Sequence, residues 1–347
     1  MVRITPLEVI IRSSVTGDQA DSICSNMMPQ KITGSKPVGG SGPYTYLWQK
    51  SYDEVTWETL TNDADPVNYT PTVIETTTVY FRRTITDSSI PTALIDVSKS
   101  VKIIVQPFIK NNIVVSSDTI CYAQNPPSFS SKLALVDGNG KYTFKWKVSL
   151  DSSLFNFPAN EYTSEGYTPP PALKFTSWYK RLVTSGRCVD STASVKITVL
   201  DTIRNNRIFT PAQDICFGSA FVDLSGTTTS TSLALGGGDN SYRFRWISKI
   251  NGAGWGTAPE VSNLADYNPQ ELTPSPNVYN FSRIVYSGIH DVCADTTKTI
   301  LLRDYPVITN NTVTANQIIC SGSAPAKLIG SAPLNGNGVY TYTWQDS

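Results

Sequence analysis

Short runs of alternating apolar and polar residues recur along the whole chain. Four of them share the pattern Tyr-x-aromatic-x-Trp, at residues 44–48, 142–146, 242–246 and 340–344. A second run, aromatic-x-Arg-x-aliphatic, follows at 81–85, 179–183 and 281–285. A period of two with aromatic and β-branched residues predicts half-buried β-strands. No stretch combines a 3.6-residue apolar period with helix caps, so the pattern predicts an all-β protein.

Each Tyr-x-aromatic-x-Trp run is preceded by a turn rich in Gly, Asn and Asp. These turns lie at residues 39–42, 137–140, 236–239 and 335–338. Glycine adopts positive φ without steric cost, and Asn tolerates it, so the segments predict tight turns that enter the aromatic strands. Read as phosphate-binding loops they fail, because neither a Lys-Ser/Thr pair nor a helix follows them.

The strands and turns belong to an internal repeat. The tryptophans of the four aromatic runs, Trp48, Trp146, Trp246 and Trp344, follow one another at intervals of 98, 100 and 98 residues. An Ile-x-Asn-Asn segment recurs at 109–112, 203–206 and 308–311. A period of this length indicates a tandem array of domains, and we expect the sequence to be a window from a longer array.

An all-β unit of about 100 residues with a Trp on a central strand predicts an immunoglobulin-like β-sandwich. The expected fold is therefore all-β, with tandem immunoglobulin-like domains in a linear array and the four repeat tryptophans in their cores. The expected boundaries are 1–12 for the last strand of a preceding repeat, 13–107, 108–202 and 203–306 for repeats one to three, and 307–347 for the start of a truncated fourth repeat.

Composition excludes several classes of partner. Lys and Arg number 28, as do Asp and Glu, so no basic face for nucleic acid is indicated. No apolar run reaches the roughly 18 residues that a membrane span needs, so we expect no membrane insertion in this window. The only histidine, His290, lies in a segment longer than its counterpart in repeat two and has no nucleophile motif with it, so we predict no enzyme.

Six cysteines recur at repeat-equivalent positions. A first Cys lies near the start of each repeat, at Cys24, Cys121, Cys216 and Cys320, and a second follows the Arg strand at Cys188 and Cys293. We expect intradomain disulfides Cys121–Cys188 and Cys216–Cys293, with Cys24 and Cys320 unpaired. Disulfides imply an oxidising, extracytoplasmic compartment. A zinc site is disfavoured because there is no Cys-x-x-Cys and only one His.

The repeated order of Cys, Gly-rich turn, Tyr-x-aromatic-x-Trp, a second aromatic, Tyr-x-Pro, aromatic-x-Arg-x-aliphatic and Ser-Gly with Cys resembles a known family. It is similar to the tandem repeats of very large cell-surface adhesins of Bacteroidota, of the gliding-motility adhesin type exported by the type IX secretion system. The resemblance implies an extracellular, surface location and a role in adhesion or gliding. The first repeat departs from it, with Asp87, Ser88 and Ser89 where the second Cys is expected.

Secreted proteins of that phylum carry O-glycans on Asp-Ser/Thr followed by an aliphatic residue or Thr. The resemblance therefore implies five candidate O-glycosylation sites, which are Ser22, Thr119, Ser191, Thr202 and Thr296. Glycosylation would add a bulky, solubilising group to the surface.

Three further sets of side chains carry two interpretations each. Trp57, Phe155 and Trp255 either seal the sandwich edge, which we favour, or stack on sugars. Arg83, Arg181 and Arg283 pack over an aromatic face or pair with a carboxylate, or else bind an anion, which is the weaker interpretation. No cofactor is expected; Ca²⁺ at acidic loops such as 63–65 and 137–139 is a minor alternative, because the loops do not recur in register.

We therefore expect a non-catalytic stalk that displays the adhesive regions of a surface protein, with neighbouring repeats of the chain as its partners and a surface glycan or protein of unknown identity as ligand. Two alternatives stay open. One is a glycan- or protein-binding module, for instance at the divergent segment 225–238. The other is a set of accessory domains on a secreted hydrolase.

Overall fold

The computed structural model describes residues 15–17, 22–25, 27–40, 42–61, 66–87, 93–115, 117–158, 162–272 and 274–346. The expected strand at 1–12 and the acidic loop at 63–65 lie outside the described residues. The described residues form twenty strands and one short 3₁₀ segment, which are β1 Val15–Gly17, β2 Ser22–Cys24, β3 Ile32–Gly34, β4 Tyr44–Ser51, β5 Glu58–Leu60, β6 Val79–Asp87, β7 Leu94–Val97, β8 Val101–Gln106, β9 Asp118–Cys121, β10 Thr143–Ser149, β11 Ser177–Ser185, β12 Cys188–Ser191, β13 Val195–Arg204, β14 Gln213–Cys216, β15 Gly236–Gly238, β16 Tyr242–Ile250, β17 Gly256–Thr257, β18 Asn277–Ser287, the 3₁₀ segment Ile289–Asp291, β19 Cys293–Thr296 and β20 Ile300–Tyr305.

The main sheet has the same strand order in the first and third repeats. It runs β2-β8-β6-β4-β5 in the first and β14-β20-β18-β16-β17 in the third. The outer strand of each, β2 or β14, is parallel to its neighbour, and the other pairs are antiparallel. In the second repeat β10, β11 and β13 form the matching antiparallel core, and β9 pairs with β13. This order, with hairpins on a Trp-bearing central strand, defines immunoglobulin-like sandwiches in tandem.

In the layer that faces the main sheet of each repeat, isolated residues form backbone pairs where the main sheet has long strands. Phe129 pairs with Tyr167 and Leu224 with Tyr267, and Ile32 pairs with Tyr69 in the same way. These tyrosines are those of the Tyr-x-Pro motif, which explains the recurrence of that motif at one offset from the Trp. Proline restricts a segment to short pairing because it lacks a donor.

Three repeat tryptophans form the sandwich cores. Trp48 and Trp146 are 1 % exposed and Trp246 is 0 % exposed. Each stacks on its repeat's Tyr-x-Pro tyrosine, and each indole N–H donates to a carbonyl 18 residues later, at 3.0–3.1 Å. Burial of the ring is thus combined with a satisfied N–H donor, as a buried indole requires.

The fourth tryptophan differs from the sequence expectation. Trp344 is 60 % exposed, so its placement in a core is corrected. In the first three repeats the Trp strand pairs with a long strand that carries the buried Arg, so that Trp48 lies opposite Arg83 and Trp246 opposite Arg283. Among the described residues, no strand pairs with the segment that carries Trp344 in this way.

The described residues group into two compact units whose division falls inside the second repeat. The first contains those up to Asp118 with Pro126–Pro170 and Ser177–Ile197, and the second contains Thr119–Asn125, Pro171–Thr176 and those from Thr198 onward. Among the described residues, no helix has the length and apolar character needed to cross a membrane.

Replacement of a repeat tryptophan tests the difference between Trp246 and Trp344. We expect Trp246→Ala to lower the free energy of unfolding by about 3–5 kcal/mol, because it removes a fully buried ring. Trp344→Ala is the matched control and should change it by less than about 0.5 kcal/mol. Urea unfolding followed by circular dichroism measures both, and equal losses in the two variants would contradict the assigned cores.

Candidate functional site

Two disulfides join cysteines of adjacent repeats. Cys24 is bonded to Cys188 and Cys121 to Cys293, with Cα–Cα distances of 4.9 and 5.1 Å. The expected pairings Cys121–Cys188 and Cys216–Cys293 are wrong, and so is the expectation that Cys24 is unpaired. Cys216 and Cys320 have free, exposed thiols. In both bonds the first Cys of one repeat pairs with the second Cys of the next.

The third repeat shows why an intradomain pair cannot form. Cys216 lies beside Tyr305, next to the Asp304–Asn277 pair at one end of β18. Cys293 lies opposite Ser287 at the other end of β18, ten residues from Asn277. Ten strand residues span about 33 Å, whereas a disulfide needs Cα atoms within about 7 Å. The two cysteines of a repeat therefore lie at opposite ends of its sheet, which we call the base (first Cys) and the top (second Cys).

At the junction of repeats one and two, Gln106 fastens the base of one sheet to the top hairpin of the next. Its backbone oxygen accepts from the N–H of Ser25 at 3.0 Å, and its side-chain amide donates to the hydroxyl of Ser22 at 3.2 Å. Its side-chain oxygen accepts from the N–H of Arg187 at 3.1 Å. Gly186, with φ of 58°, is required there, because a Cβ would lie 2.4 Å from that oxygen.

An apolar cluster surrounds this first disulfide. Its buried members are Cys24, Ile109, Val183 and Cys188, and Leu135, Tyr142 and Phe144 pack against them. In this cluster Cys24, at the base of the first repeat, packs with residues from three parts of the second repeat. These parts are the Tyr-x-aromatic-x-Trp strand, the Arg strand and the Ile-x-Asn-Asn segment. The bond is thus enclosed in apolar side chains, and the junction is stabilised by burial as well as by the covalent link.

The second disulfide has an equivalent setting. Cys121 and Cys293 are buried with Ile203, Leu235 and Val285. The amide of Gln124 donates to the carbonyl of Val292 at 3.1 Å, so a glutamine again links the base to the next top hairpin. Close approach of the Gly-rich turn is required here too, because a Cβ on Gly237 would lie 1.9 Å from the carbonyl oxygen of Thr202. One arrangement is therefore built twice from different residues.

A fully buried arginine is the second repeated feature. Arg83, Arg181 and Arg283 are all 0 % exposed. Each guanidinium lies 5.2–5.6 Å from the ring of the middle aromatic in the Tyr-x-aromatic-x-Trp strand. The expected packing over an aromatic face is therefore present, whereas their acceptors are mainly backbone carbonyls and neutral side chains. Burial places these cations out of reach of an external anion.

The arginine also connects the core to the junction. Arg283 donates to Oδ1 of Asn206 from Nε at 3.1 Å and from Nη2 at 2.9 Å, and to Thr227 and the carbonyl of Ala265 at 2.9 Å. Burial lowers the pKa of Arg283 to about 10, with Asp266 acting in the opposite direction. It stays protonated at neutral pH, so it keeps all its donors.

The candidate glycosylation hydroxyls fall into two groups. Ser191, Thr202 and Thr296 are exposed at or near strand ends. Ser22 and Thr119 are partly buried on the strands that end at the bonded cysteines, and the Ser22 hydroxyl accepts from Gln106. The exposed group offers the room that a glycan needs.

The three edge aromatics are not equivalent. The guanidinium of Arg82 lies 4.0 Å from the Trp57 ring centre, and the ammonium of Lys180 lies 4.4 Å from that of Phe155. These cations cover one face of each ring, in agreement with edge packing. Trp255 is 47 % exposed, and Ser282 stands where repeats one and two have Arg82 and Lys180. Of the three, Trp255 is the most available for a ligand.

The side chains considered above for catalysis and for Ca²⁺ binding make hydrogen bonds and ion pairs of an ordinary structural kind. His290 is exposed on the 3₁₀ segment beside Asp291, whose carboxylate accepts from Arg243. Asp137 pairs with Lys110 at 2.8 Å, and the Asn139 side chain accepts from the Ser185 hydroxyl at 2.8 Å. No group of three or more His, Cys, Asp or Glu side chains placed to hold a metal ion occurs among the described residues.

Sequence reasoning found the six cysteines but missed their partners and the two glutamines. One signal was available. The first repeat has a base Cys and no top Cys, which leaves Cys24 without a mate under intradomain pairing and gives it one under pairing to the next repeat. The pair Gln106 and Gln124 gave no signal, because they occupy different sequence offsets from their base cysteines.

Comparison with known families places the chain. Residues 12–107 and 110–201 match the model of a family described as a domain of unknown function, DUF8696, and together they are more than half of the 347 residues. The chain belongs to this family. No curated protein sequence matches it.

Solved structures of tandem domains are similar at low identity. Three immunoglobulin domains of titin align with 86 % of this chain and all of theirs, at 11 % identity and a TM-score of 0.41. The FN1–FN3 domains of chicken CNTN1 align with 86 % of this chain and 96 % of theirs, at 9 % identity and 0.30. Immunoglobulin domains 1–4 of Sidekick-1 give 87 % and 76 %, at 11 % identity and 0.21. The fold assignment rests on the strand order given above.

Removal of one base cysteine tests the pairing between repeats. In Cys24→Ser we expect Cys188 to become free and alkylatable while Cys121–Cys293 stays bonded, because the top and base cysteines of a repeat are too far apart to exchange. Peptide mapping of the unreduced, alkylated protein reads this directly. Cys320→Ser is the control and should leave both bonds intact; a Cys121–Cys188 peptide in either variant would contradict the pairing.

Proposed function

We propose that this chain is a non-catalytic spacer that transmits tension in a large secreted adhesin and holds the adhesive regions away from the cell. The observation that carries the proposal is the covalent and apolar fastening of the bases of repeats one and two to the top hairpins of the repeats that follow them. Such fastening is typical of a segment that has to transmit force, and disulfides persist in the oxidising conditions outside the cytoplasm. We propose for its three repeats the boundaries that the sequence predicts, 13–107, 108–202 and 203–306.

The two disulfides enclose overlapping stretches of chain. One joins residues 164 apart and the other residues 172 apart, and the segment between Cys121 and Cys188 belongs to both. Consider tension applied across Cys24 and Cys293. The shortest covalent route crosses from Cys24 to Cys188, follows the chain back to Cys121, and crosses to Cys293.

This route limits how far the segment can extend even when every domain unfolds. Positions 121 and 188 differ by 67, so the taut route contains 67 residues and reaches about 230 Å. Without disulfides the full interval from residue 24 to residue 293 would reach about 900 Å. Under loads that unfold individual sandwiches, an array with this linkage extends to no more than about one quarter of its full contour length, which suits a surface stalk.

Force spectroscopy of the chain pulled from its ends tests the spacer function. In oxidising buffer we expect the interval between Cys24 and Cys293 to extend to about one quarter of its full contour length. After reduction with dithiothreitol it should extend to the whole of that length. The double variant Cys24→Ser with Cys121→Ser should behave like the reduced protein, and the double variant Cys216→Ser with Cys320→Ser like the oxidised one. Full extension under oxidising conditions would refute a load-limiting role.

The surface location and the class of adhesin belong to the same proposal. They are supported by the resemblance of the repeats to Bacteroidota gliding-motility adhesins and by the disulfides. We propose that exposed Ser191, Thr202 and Thr296 carry the O-glycans that this origin implies. The same unreduced peptide map that assigns the disulfides would detect glycan masses on these peptides.

A second candidate function is glycan binding at Trp255. It is favoured by the uncovered face of this ring, because apolar sugar faces stack on aromatic side chains. The neighbouring strand offers Arg245, whose guanidinium donates to Thr257 at 2.6 Å at the exposed edge. Ligand sites combine aromatic surfaces with a few polar groups, and this edge of the third repeat carries both.

Binding to a glycan array distinguishes this candidate. If Trp255 binds sugar, Trp255→Ala should abolish the signal of the intact chain, because the stacking platform is removed. Trp57→Ala, whose ring is covered by Arg82, is the matched control and should leave binding unchanged. Equal binding by both variants, or none by the parent chain, would eliminate the second candidate and leave the spacer proposal untouched.

A further inference from the structure

The outer face of the main sheet in the second repeat carries a group of lysines. On β10, β11 and β13, buried residues alternate with residues that face away from the core. Lysines occupy several of these outward positions, and segment 155–157 lies beside β10 through the backbone pair of Val148 and Asn156. We call the lysine face the surface formed by three of these lysines and three neighbouring aromatic residues, which are Lys147, Lys180, Lys196, Phe155, Phe157 and Trp178.

The strand register places the three lysines next to one another. Lys147 on β10 lies directly opposite Lys180 on β11. Lys196 on β13 lies opposite Trp178, which is two residues along β11 from Lys180. Neighbouring strands are about 4.8 Å apart and each strand residue adds about 3.3 Å, so the stems of the three lysines leave the sheet within about 12 Å of one another.

The pair of lysines on opposite strands is unfavourable in the absence of a ligand, because like charges directly opposite each other repel. The other two repeats have no like-charge pair at this position. In the first repeat Gln49 lies opposite Arg82 and accepts from its Nε at 2.9 Å. In the third repeat Ile247 lies opposite Ser282. The repulsion is thus specific to the second repeat, and a bound anion would relieve it.

Each lysine of the face lies against an aromatic ring. A ring attracts an ammonium group through its quadrupole but carries no net charge, so the contact orders the side chain and leaves its charge uncompensated. Side chains that are already ordered lose less conformational entropy when a ligand binds. The distances from ammonium to ring centre are 4.9 Å for Lys147 and Phe157, 4.4 Å for Lys180 and Phe155, and 5.4 Å for Lys196 and Trp178.

No acidic residue occupies an outward position of β10 or β11, or of β13 where it pairs with β11. The third repeat differs, because two cations on the corresponding face are paired with carboxylates. Arg243 pairs with Asp291, and Arg303 pairs with Asp214. The lysine face is therefore a local concentration of positive charge in a chain whose net charge is zero, and it attracts anions.

The residue types on the face favour an acidic polysaccharide among the polyanions. Phe157 is 49 % exposed, so its ring offers a surface on which the apolar face of a sugar stacks. Lysine is a point charge that suits single carboxylates, whereas arginine is the usual residue for planar, bidentate binding of phosphate. No arginine occupies an outward position of β10 or β11. The combination fits a polymer of sugar rings with carboxylates better than a nucleic acid.

We propose that the lysine face binds an acidic polysaccharide. Carboxylates of the polymer pair with Lys147, Lys180 and Lys196, and a sugar ring stacks on Phe157. The binding is non-covalent and weakens as salt is added, because exposed ion pairs are screened. The site does not depend on the spacer proposal, since a chain that transmits no tension could use the same face, and it lies on a different repeat from Trp255.

Binding of the 347-residue chain to immobilised polygalacturonate tests the site, with dextran as the neutral polymer. We expect saturable binding to polygalacturonate that weakens as salt is raised, and none to dextran. The double variant Lys147→Gln with Lys180→Gln should bind about tenfold more weakly, because two ion pairs to the polymer are lost. Phe157→Ala should weaken binding several-fold and leave its salt dependence unchanged, because it removes the stacking surface and no charge.

Two controls make the result specific. The double variant Lys99→Gln with Lys298→Gln removes the same charge from exposed positions of the first and third repeats and should bind like the parent chain. The double variant of the lysine face should unfold at the same or a higher urea concentration than the parent, because it removes a repulsive pair. Its loss of binding would then not be a loss of folding.

Three outcomes would overturn the proposal. The site is refuted if the parent chain does not bind polygalacturonate, or if the two double variants bind it equally well. An unchanged affinity in Phe157→Ala would refute the stacked sugar. Equal or tighter binding of a DNA duplex, lost in the double variant of the lysine face, would assign the face to nucleic acid and refute the polysaccharide.

Discussion

The organisation of this protein depends on the bond between the base of one sandwich and the top hairpin of the next. The base cysteine ends the outer strand of the main sheet, and the top cysteine follows the turn after the Arg strand, so the length of one sheet separates them. Because about 33 Å cannot be closed by a disulfide, each cysteine is left to face a neighbouring domain. Covalent linkage between repeats is therefore a consequence of where the two cysteines lie on the sheet.

The Ile-x-Asn-Asn segment connects this junction to the domain core through three of its four residues. Ile109 packs beside the first disulfide. Asn111 has a φ of 64°, a conformation that Asn tolerates, and its side chain donates to the carbonyl of Ala134 at 3.0 Å. Asn112 accepts from Nε of buried Arg181 at 3.0 Å. One short motif thus lies against the junction, turns the chain and accepts a hydrogen bond from the buried arginine of the sandwich core.

These contacts between the junction segment and the core explain why an arginine is buried in each sandwich. A buried cation is costly unless it is fully hydrogen-bonded, and here most of the acceptors are carbonyls and amides of loops that pack against the main sheet. Arg283 draws together the carbonyl of Ala265, Asn206 and Thr227, which come from three separate segments. Removal of the strand that supplies the arginine would leave these three segments without their common partner.

The sequence by itself determined the fold class and the repeat. Alternation around Trp48, Trp146 and Trp246 depends only on local strand geometry, and the intervals of 98 and 100 residues are visible without coordinates. The tertiary structure alone decided which cysteines pair, because the distance between the ends of a strand and the proximity of the next domain are not local properties. It also decided the fate of Trp344, since burial requires the partner strand opposite it and not only the motif around it.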